Sequence, residues 1–151
     1  MSLPDCCKIP ISVLVVIHTP ALEVLLLERA DWPEFWQSVT GSLDHEGESL
    51  EATAVREVRE ETGIDATRHR LADWQLQNRF EIFKKRLGRY APGVTHNTEH
   101  VFGLTVPEPL PITLARREHT RYQWLPWREA AAKCLSWSNR DAILLLDRKL
   151  K

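Results

Sequence analysis

GSLDHEGESLEATAVREVREETGI, residues 41 to 64, is the stretch around which the fold is expected to form. Ser49 offers a hydroxyl cap ahead of Leu50, and Gly63 is the stop expected after a helical run, so a helix is predicted over roughly residues 50 to 62. At 100° per residue Glu57 and Glu61 lie almost in line, Glu60 lies beside them, and the apolar stripe of Leu50, Ala54, Val55 and Val58 begins next to that row. The acidic row therefore borders the core. Glu57 with Glu60 and Glu57 with Glu61 are like-charge pairs, each costing an isolated helix roughly 0.2–0.5 kcal/mol, and something positive should compensate. A Glu-rich helix is ordinarily a solvated face, here partly neutralised by Arg56 and Arg59. The spacing favours another reading, because three carboxylates within two turns match the all-oxygen ligation that Mg²⁺ or Mn²⁺ takes alongside substrate phosphates.

Upstream of this helix, Ile9 to Ile17 reads IPISVLVVI, a β-branched, nearly continuous apolar run that suits a strand covered on both faces. A second strand is expected at Val24 to Leu27, then an ordered loop through DWPEFWQSVTGS into a short strand ending at Gly41. Downstream, residues 70 to 83 and 98 to 106 alternate as strands around a long loop containing RYAPGVTHN, and residues 119 to 125 read as a further strand. Ser138 followed by Asp141 resembles a capping box for a terminal helix carrying Ile143, Leu146 and Leu150. Strands around one central and one terminal helix predict a mixed sheet with helices on both sides.

A chain of 151 residues with 43% apolar side chains is the size of one globular domain, and residues 1 to 151 are read as one. The formal net charge of −1 lacks the basic excess of a protein that coats nucleic acid, so a small, locally recognised ligand is expected. Cys6 and Cys7 are adjacent and Cys134 is remote, with no CxxC pair, which suits a reducing cytoplasm. Neither a signal peptide nor an apolar run long enough for a membrane span is read. The histidines show no HxH or HExxH spacing, and no zinc is expected.

The segment 41 to 64 resembles the signature of the Nudix hydrolases: a glycine, a glutamate, then REUxEExGU with U aliphatic. Arg56, Glu57, Val58, Glu60, Glu61, Gly63 and Ile64 fit its second half at every position. One departure stands out: six residues separate Gly41 from Glu48, where the family has five, so either the loop holds an extra residue or Ser42 replaces the glycine. The resemblance implies a Nudix-type α/β/α sandwich and cleavage of a diphosphate linkage. It implies metal ligation by Glu57, Glu60 and Glu61, with Arg56 holding them in place. Phosphoryl transfer to water then needs a proton acceptor. Glu57 is the first choice, with Glu60, Glu99 and Glu118 as alternatives.

Other segments, FWQSVTGS at 35 to 42, FEIF at 80 to 83, RYAPGVT at 89 to 95, NTE at 97 to 99 and SWSNR at 136 to 140, are similar to the branch of this family that hydrolyses dihydroneopterin triphosphate. That similarity implies substrate contacts at Lys8, Arg29, Thr40, Phe80, Glu81, Ile82, Phe83 and Ser136, and a further metal-binding glutamate at Glu118. Lys8 and Arg29 would pair with phosphates, Phe80 and Phe83 would flank a flat pterin, and Glu81 would accept from its N–H groups. Without the resemblance these are ordinary surface charges and a core aromatic pair, and Glu118 next to His119 reads as part of a solvated charge run. The basic run Lys84, Lys85, Arg86 and Arg89 reads either as a solvated loop or as a lid that attracts polyphosphate, and no nucleic-acid partner is expected. Two other functions stay open: a (deoxy)nucleoside triphosphate pyrophosphatase acting on dATP or 8-oxo-dGTP, and a non-catalytic ligand- or RNA-binding module. Oligomeric state is not legible.

Overall fold

The computed structural model describes residues 7–149; Cys6 and Leu150 lie outside that range. Strand β1 (Ile11–His18) runs parallel to β6 (His96–Thr105), with Val13 opposite His100 and Val15 opposite Phe102. β5 (Arg70–Glu81) pairs antiparallel with β6. On its other edge β1 pairs antiparallel with β4 (Val39–Ser42), and at His18 it meets Val24 of β2 (Glu23–Arg29). β2 in turn carries β3 (Trp36–Gln37) and β7 (His119–Pro126), which completes a seven-stranded mixed sheet.

The apolar run of β1 is explained by burial on both faces. Val13, Val15 and Ile17 join Leu25, Leu27, Phe102 and Leu104 under Ala54 and Val58 of helix α1 (Leu50–Thr62). Leu14 and Val16 point the other way, with Val24, Leu26 and Val101, against α2 (Trp127–Lys133), α3 (Trp137–Leu144) and α4 (Leu146–Lys149). Each such side chain taken out of water contributes on the order of 1.5–3 kcal/mol before chain entropy is counted. The expected α/β/α sandwich with a mixed sheet is the fold observed.

Two details of the C-terminal layer differ from expectation. Helix α2 follows β7 directly, and its seven residues span too few turns to display a helical period. The cap of α3 is Ser136, whose Oγ accepts from Asn139 N at 3.4 Å, whereas Ser138 is buried inside the first turn. Asn139 ties α3 to the start of β4: its Oδ1 accepts from Ser38 N at 2.8 Å and its Nδ2 donates to Ser38 Oγ at 2.9 Å. Strand ends otherwise fall within about two residues of those expected. No helix among the described residues is long and apolar enough to cross a membrane.

Candidate active site

Helix α1 is set at both ends as its sequence implies. Ser49 Oγ accepts from Ala52 N at 3.1 Å, and Gly63 closes the helix at φ 79°, a left-handed conformation that favours glycine. Glu57 and Glu61 are buried, while the Glu60 side chain is 54% exposed. Arg56 is the compensating charge. Its Nη1 donates to Glu57 Oε1 at 2.9 Å, its Nε and Nη2 form a fork on Glu48 at 3.0 and 2.9 Å, and Nη2 also donates to Ser42 O at 3.1 Å. The fork holds the Glu48 carboxyl down at about 2.

The inserted loop residue leaves this arrangement intact. A Cβ placed on Gly41 would fall on the Glu57 carboxyl group, so residue 41 is the glycine that the glutamate requires. The loop turns at Gly47, φ 91°, and Glu48 Oε1 accepts from Asp44 N at 2.9 Å and from Thr53 Oγ1 at 2.7 Å. The longer loop is thus drawn back onto Glu48.

Glu61 has 1% of its surface exposed and one carboxylate oxygen, Oε2, with no hydrogen-bond partner. Burial and then the neighbouring Glu57 push its carboxyl well above the usual range, and burial raises Glu57 as well. Ligand atoms of Glu61, Glu118 and His119 lie within 4.8 Å of one another. His119 is buried and pushed down to about 4, first by burial and then by Arg29, so its ring is neutral near pH 7. Its 3.7 Å approach to Glu61 is accordingly no ion pair, and its Nδ1 lacks a partner while Nε2 lies 3.1 Å from Gln37 Nε2. Facing the Gln37 amide nitrogen, His119 Nε2 accepts and the neutral ring carries its proton on Nδ1, so it is the unpaired Glu61 Oε2, beside crowded carboxylates, that suits a divalent cation.

These acids form one wall of a cleft of about 550 Å³ whose rim carries Lys8, Arg29, Arg89 and Arg117. Asp31 organises part of that rim, accepting a fork from Arg29 at 2.8 and 2.9 Å and a bond from Arg89 Nη2 at 2.9 Å. Those contacts, Arg29's first, hold the Asp31 carboxyl far below its usual range. The segment Lys84–Arg89 is a short 3₁₀ helix fastened at its end, where Arg89 O accepts from Lys8 N at 2.8 Å.

Lys8, Arg29, Gln37, Thr40, Gly41, Ser42 and Arg89 are shared with a second, more apolar cavity. Its walls include Leu14, Phe35, Phe80, Ile82 and Phe83. Phe35 and Phe83 meet edge to face at 6.2 Å, and both pack on Trp32. The Arg86 guanidinium sits over these rings at 5.2–5.7 Å, with Nε and Nη2 unpaired.

A NUDIX domain model matches residues 8–146. The chain belongs to the Nudix family. It is 49% identical over 139 residues to the dihydroneopterin triphosphate diphosphatase of Escherichia coli K12, covering 90% of this chain and 91% of that protein. The Haemophilus influenzae protein of the same name is 38% identical over 135 residues, 87% of this chain and 84% of its own. The solved structure of the E. coli dihydroneopterin triphosphate pyrophosphohydrolase superposes with a TM-score of 0.85, covering 91% of this chain and 94% of that one.

The Nudix helix and its surroundings bring Arg56, Glu57, Glu60, Glu61 and Glu118 to one cleft, with Lys8, Arg29 and Thr40 where the two cavities meet. Phe80, Ile82, Phe83 and Ser136 line the apolar cavity. Glu81 does not. Side chains alternate at the end of β5, so Phe80 faces inward while Glu81 is exposed on the opposite side, and Ile82 just past the strand is buried against the cavity. Thr40 Oγ1 already donates to Val13 O at 2.9 Å and so presents acceptor lone pairs, while Ser136 Oγ accepts from Asn139 N in the cap of α3 and lies 3.1 Å from Ser138 Oγ. Glu99, an alternative proton acceptor by sequence, lines the apolar cavity and not the acidic cleft. Sequence reasoning misses His119, which sits within a charge run that reads as solvated, and it places Arg86 in a solvated loop or polyphosphate lid where the structure sets its guanidinium over the aromatic rings.

Proposed function

We propose that this Nudix chain hydrolyses 7,8-dihydroneopterin triphosphate to the monophosphate and pyrophosphate, with Mg²⁺ as its cation and Mn²⁺ as a substitute. The observation that carries this reading is the junction of two cavities, one aromatic and apolar, the other acidic with a cationic rim, through shared Lys8, Arg29 and Thr40. A molecule with a flat ring at one end and a triphosphate at the other fits that pair. The names of the relatives at 49% and 38% identity support the same substrate. The cytoplasm is the proposed location.

In this reading Glu57, Glu60, Glu61 and Glu118 hold divalent cation, which when bound neutralises phosphate oxygens and favours attack by water. Arg56 fixes Glu57 through its Nη1 bond at 2.9 Å, and the same Nη1 lies 3.5 Å from Glu60 Oε2. Lys8 and Arg29 orient the phosphates, and Phe80 and Phe83 flank the ring. Water adds to phosphorus as the bridging P–O bond breaks, pyrophosphate leaves, and the water proton passes to a carboxylate. Glu57 fits that task by position, since its carboxylate lines the cleft beside the other acids.

The test compares kcat/KM with Mg²⁺ for dihydroneopterin triphosphate, dATP and 8-oxo-dGTP. The pterin compound is expected to lead. A tenfold or greater preference for either nucleotide would remove the assignment, and ligand binding without pyrophosphate release from any of them would instead favour a non-catalytic module.

A further inference from the structure

Burying a polar atom without a partner is costly, so such atoms in a cavity wall mark where a ligand is expected to supply the missing bond. Along β6, Asn97 and Glu99 are two residues apart and line the apolar cavity together. Asn97 Nδ2 donates to Ser12 Oγ at 2.8 Å, which leaves Oδ1 unpaired, and Glu99 is 95% buried with Oε1 unpaired. Both orphans are acceptors. Neither belongs to the acidic cleft, and Glu81, the acid nearest in sequence to the aromatic wall, is exposed elsewhere.

We propose that Glu99, assisted by Asn97, is the specificity-determining residue of the ring cavity, its carboxylate accepting hydrogen bonds from a heterocycle edge that carries adjacent N–H donors. The inference rests on the pterin reading above. A 2-amino-4-oxo-pyrimidine ring presents such an edge, with a ring N–H beside an exocyclic amino group, and a carboxylate satisfies both. An adenine edge offers an amino group beside a bare ring nitrogen, whose lone pair would face a carboxylate oxygen. Glutamine at 99 would reverse this, since its amide has one donor and one acceptor. The raised proton affinity of Glu99, due to burial, agrees with a carboxylate that lacks a cationic partner until a donor-rich ligand arrives.

Glu99→Gln and Glu81→Gln are to be assayed with Mg²⁺ on dihydroneopterin triphosphate and dATP, with folding checked by thermal unfolding. Glu99→Gln is expected to lower kcat/KM for the pterin by roughly ten- to a hundredfold, mainly through KM, while dATP is unchanged or improved. Glu81→Gln should alter neither by more than about twofold. Equal losses on both substrates, or no loss, for Glu99→Gln would overturn the proposal, as would a selective loss in Glu81→Gln. Binding of unphosphorylated neopterin, followed by its fluorescence, separates this from the parent reading. If the wild type does not turn over the triphosphate, the functional reading fails, yet equal neopterin affinities for wild type and Glu99→Gln would still refute the role of Glu99. Should Glu99→Gln not fold, wild-type affinity for neopterin and for its 2-methyl analogue, which lacks the amino donors, decides: a loss under about threefold refutes the contact.

Discussion

Gly41 and Glu57 occupy one another's space: the carboxyl group of Glu57 lies where a side chain at residue 41 would begin. The strand before the helix and the helix itself are thereby packed so closely that only hydrogen fits between them. Gly41→Ala should drive the Glu57 carboxylate out of its place while leaving the core clusters untouched. We expect kcat to fall at least tenfold, about 1.4 kcal/mol of barrier, and the Mg²⁺ concentration for half-maximal rate to rise. A variant with unchanged rate and unchanged Mg²⁺ dependence would show that Glu57 does not need this position.

Arg56 links Glu48, Glu57 and the Ser42 carbonyl, so its loss should be felt in stability as well as in rate. Glu48 is held near 2, below its ordinary value, by the guanidinium fork. A depressed carboxyl contributes stability above its unfolded pKa, and that contribution disappears as pH falls through the folded value. Arg56→Ala should therefore be less stable than wild type by about 1–3 kcal/mol at pH 7, with the difference shrinking between about pH 4.5 and pH 2. Urea unfolding of both proteins at pH 7, 4 and 3 measures this, and a difference independent of pH would place the cost elsewhere.

Glu61 is crowded by Glu57 and Glu118 and raised by burial, so in metal-free protein its ionisation works against the fold. With a raised folded pKa, the stability it permits is complete below the unfolded value and declines as pH rises. Glu61→Gln should raise the metal-free Tm at pH 7–8 yet lack the Tm increase that Mg²⁺ is expected to give the wild type, and should lower kcat by roughly two orders of magnitude or more. Thermal unfolding with and without chelator, alongside initial rates, checks all three. A variant that keeps its Mg²⁺ stabilisation would remove Glu61 from the metal site.

Much of this was legible because local physics and tertiary packing agree. The cap at Ser49, the stop at Gly63 and the apolar stripe beside Glu57 all specify one helix in one orientation. The two-sided burial of β1 is likewise written in its unbroken β-branched run. What stayed hidden depends on contacts between distant segments. His119 looks solvated beside Arg116, Arg117 and Glu118, and only the pairing of β7 with β2 buries it against Gln37 and Glu61. The similarity of FEIF to its family segment points to Glu81, whereas strand alternation sends that residue outward and leaves the acidic position in the cavity to Glu99 on the neighbouring strand. The Ser138–Asp141 spacing points to Ser138 as the cap, but the chain enters α3 two residues earlier and Ser136 caps it while still lining the apolar cavity.

Glu99 makes a prediction about stability that needs no substrate. Burial drives its carboxyl up to about 7, opposed by hydrogen bonding with Ser138 of α3 and Asn78 of β5, and no charged side chain contributes to the shift. A raised folded pKa means that the unfolded chain releases this proton first, so stability is intact below about pH 4.5 and is lost progressively up to and past pH 7. Over that window the loss comes to about 3 kcal/mol at most. Glu99→Gln keeps the volume and removes the titration, so the stability difference between variant and wild type should move in the variant's favour as pH rises from 4.5 to 8. Taking that difference cancels the parallel titrations of Glu57 and Glu61, which both proteins share. Urea unfolding of metal-free wild type and Glu99→Gln at pH 5, 6, 7 and 8 reads it directly. A constant difference across the series would mean that Glu99 is already ionised at pH 5, and that a cationic or donor partner holds it in the free protein.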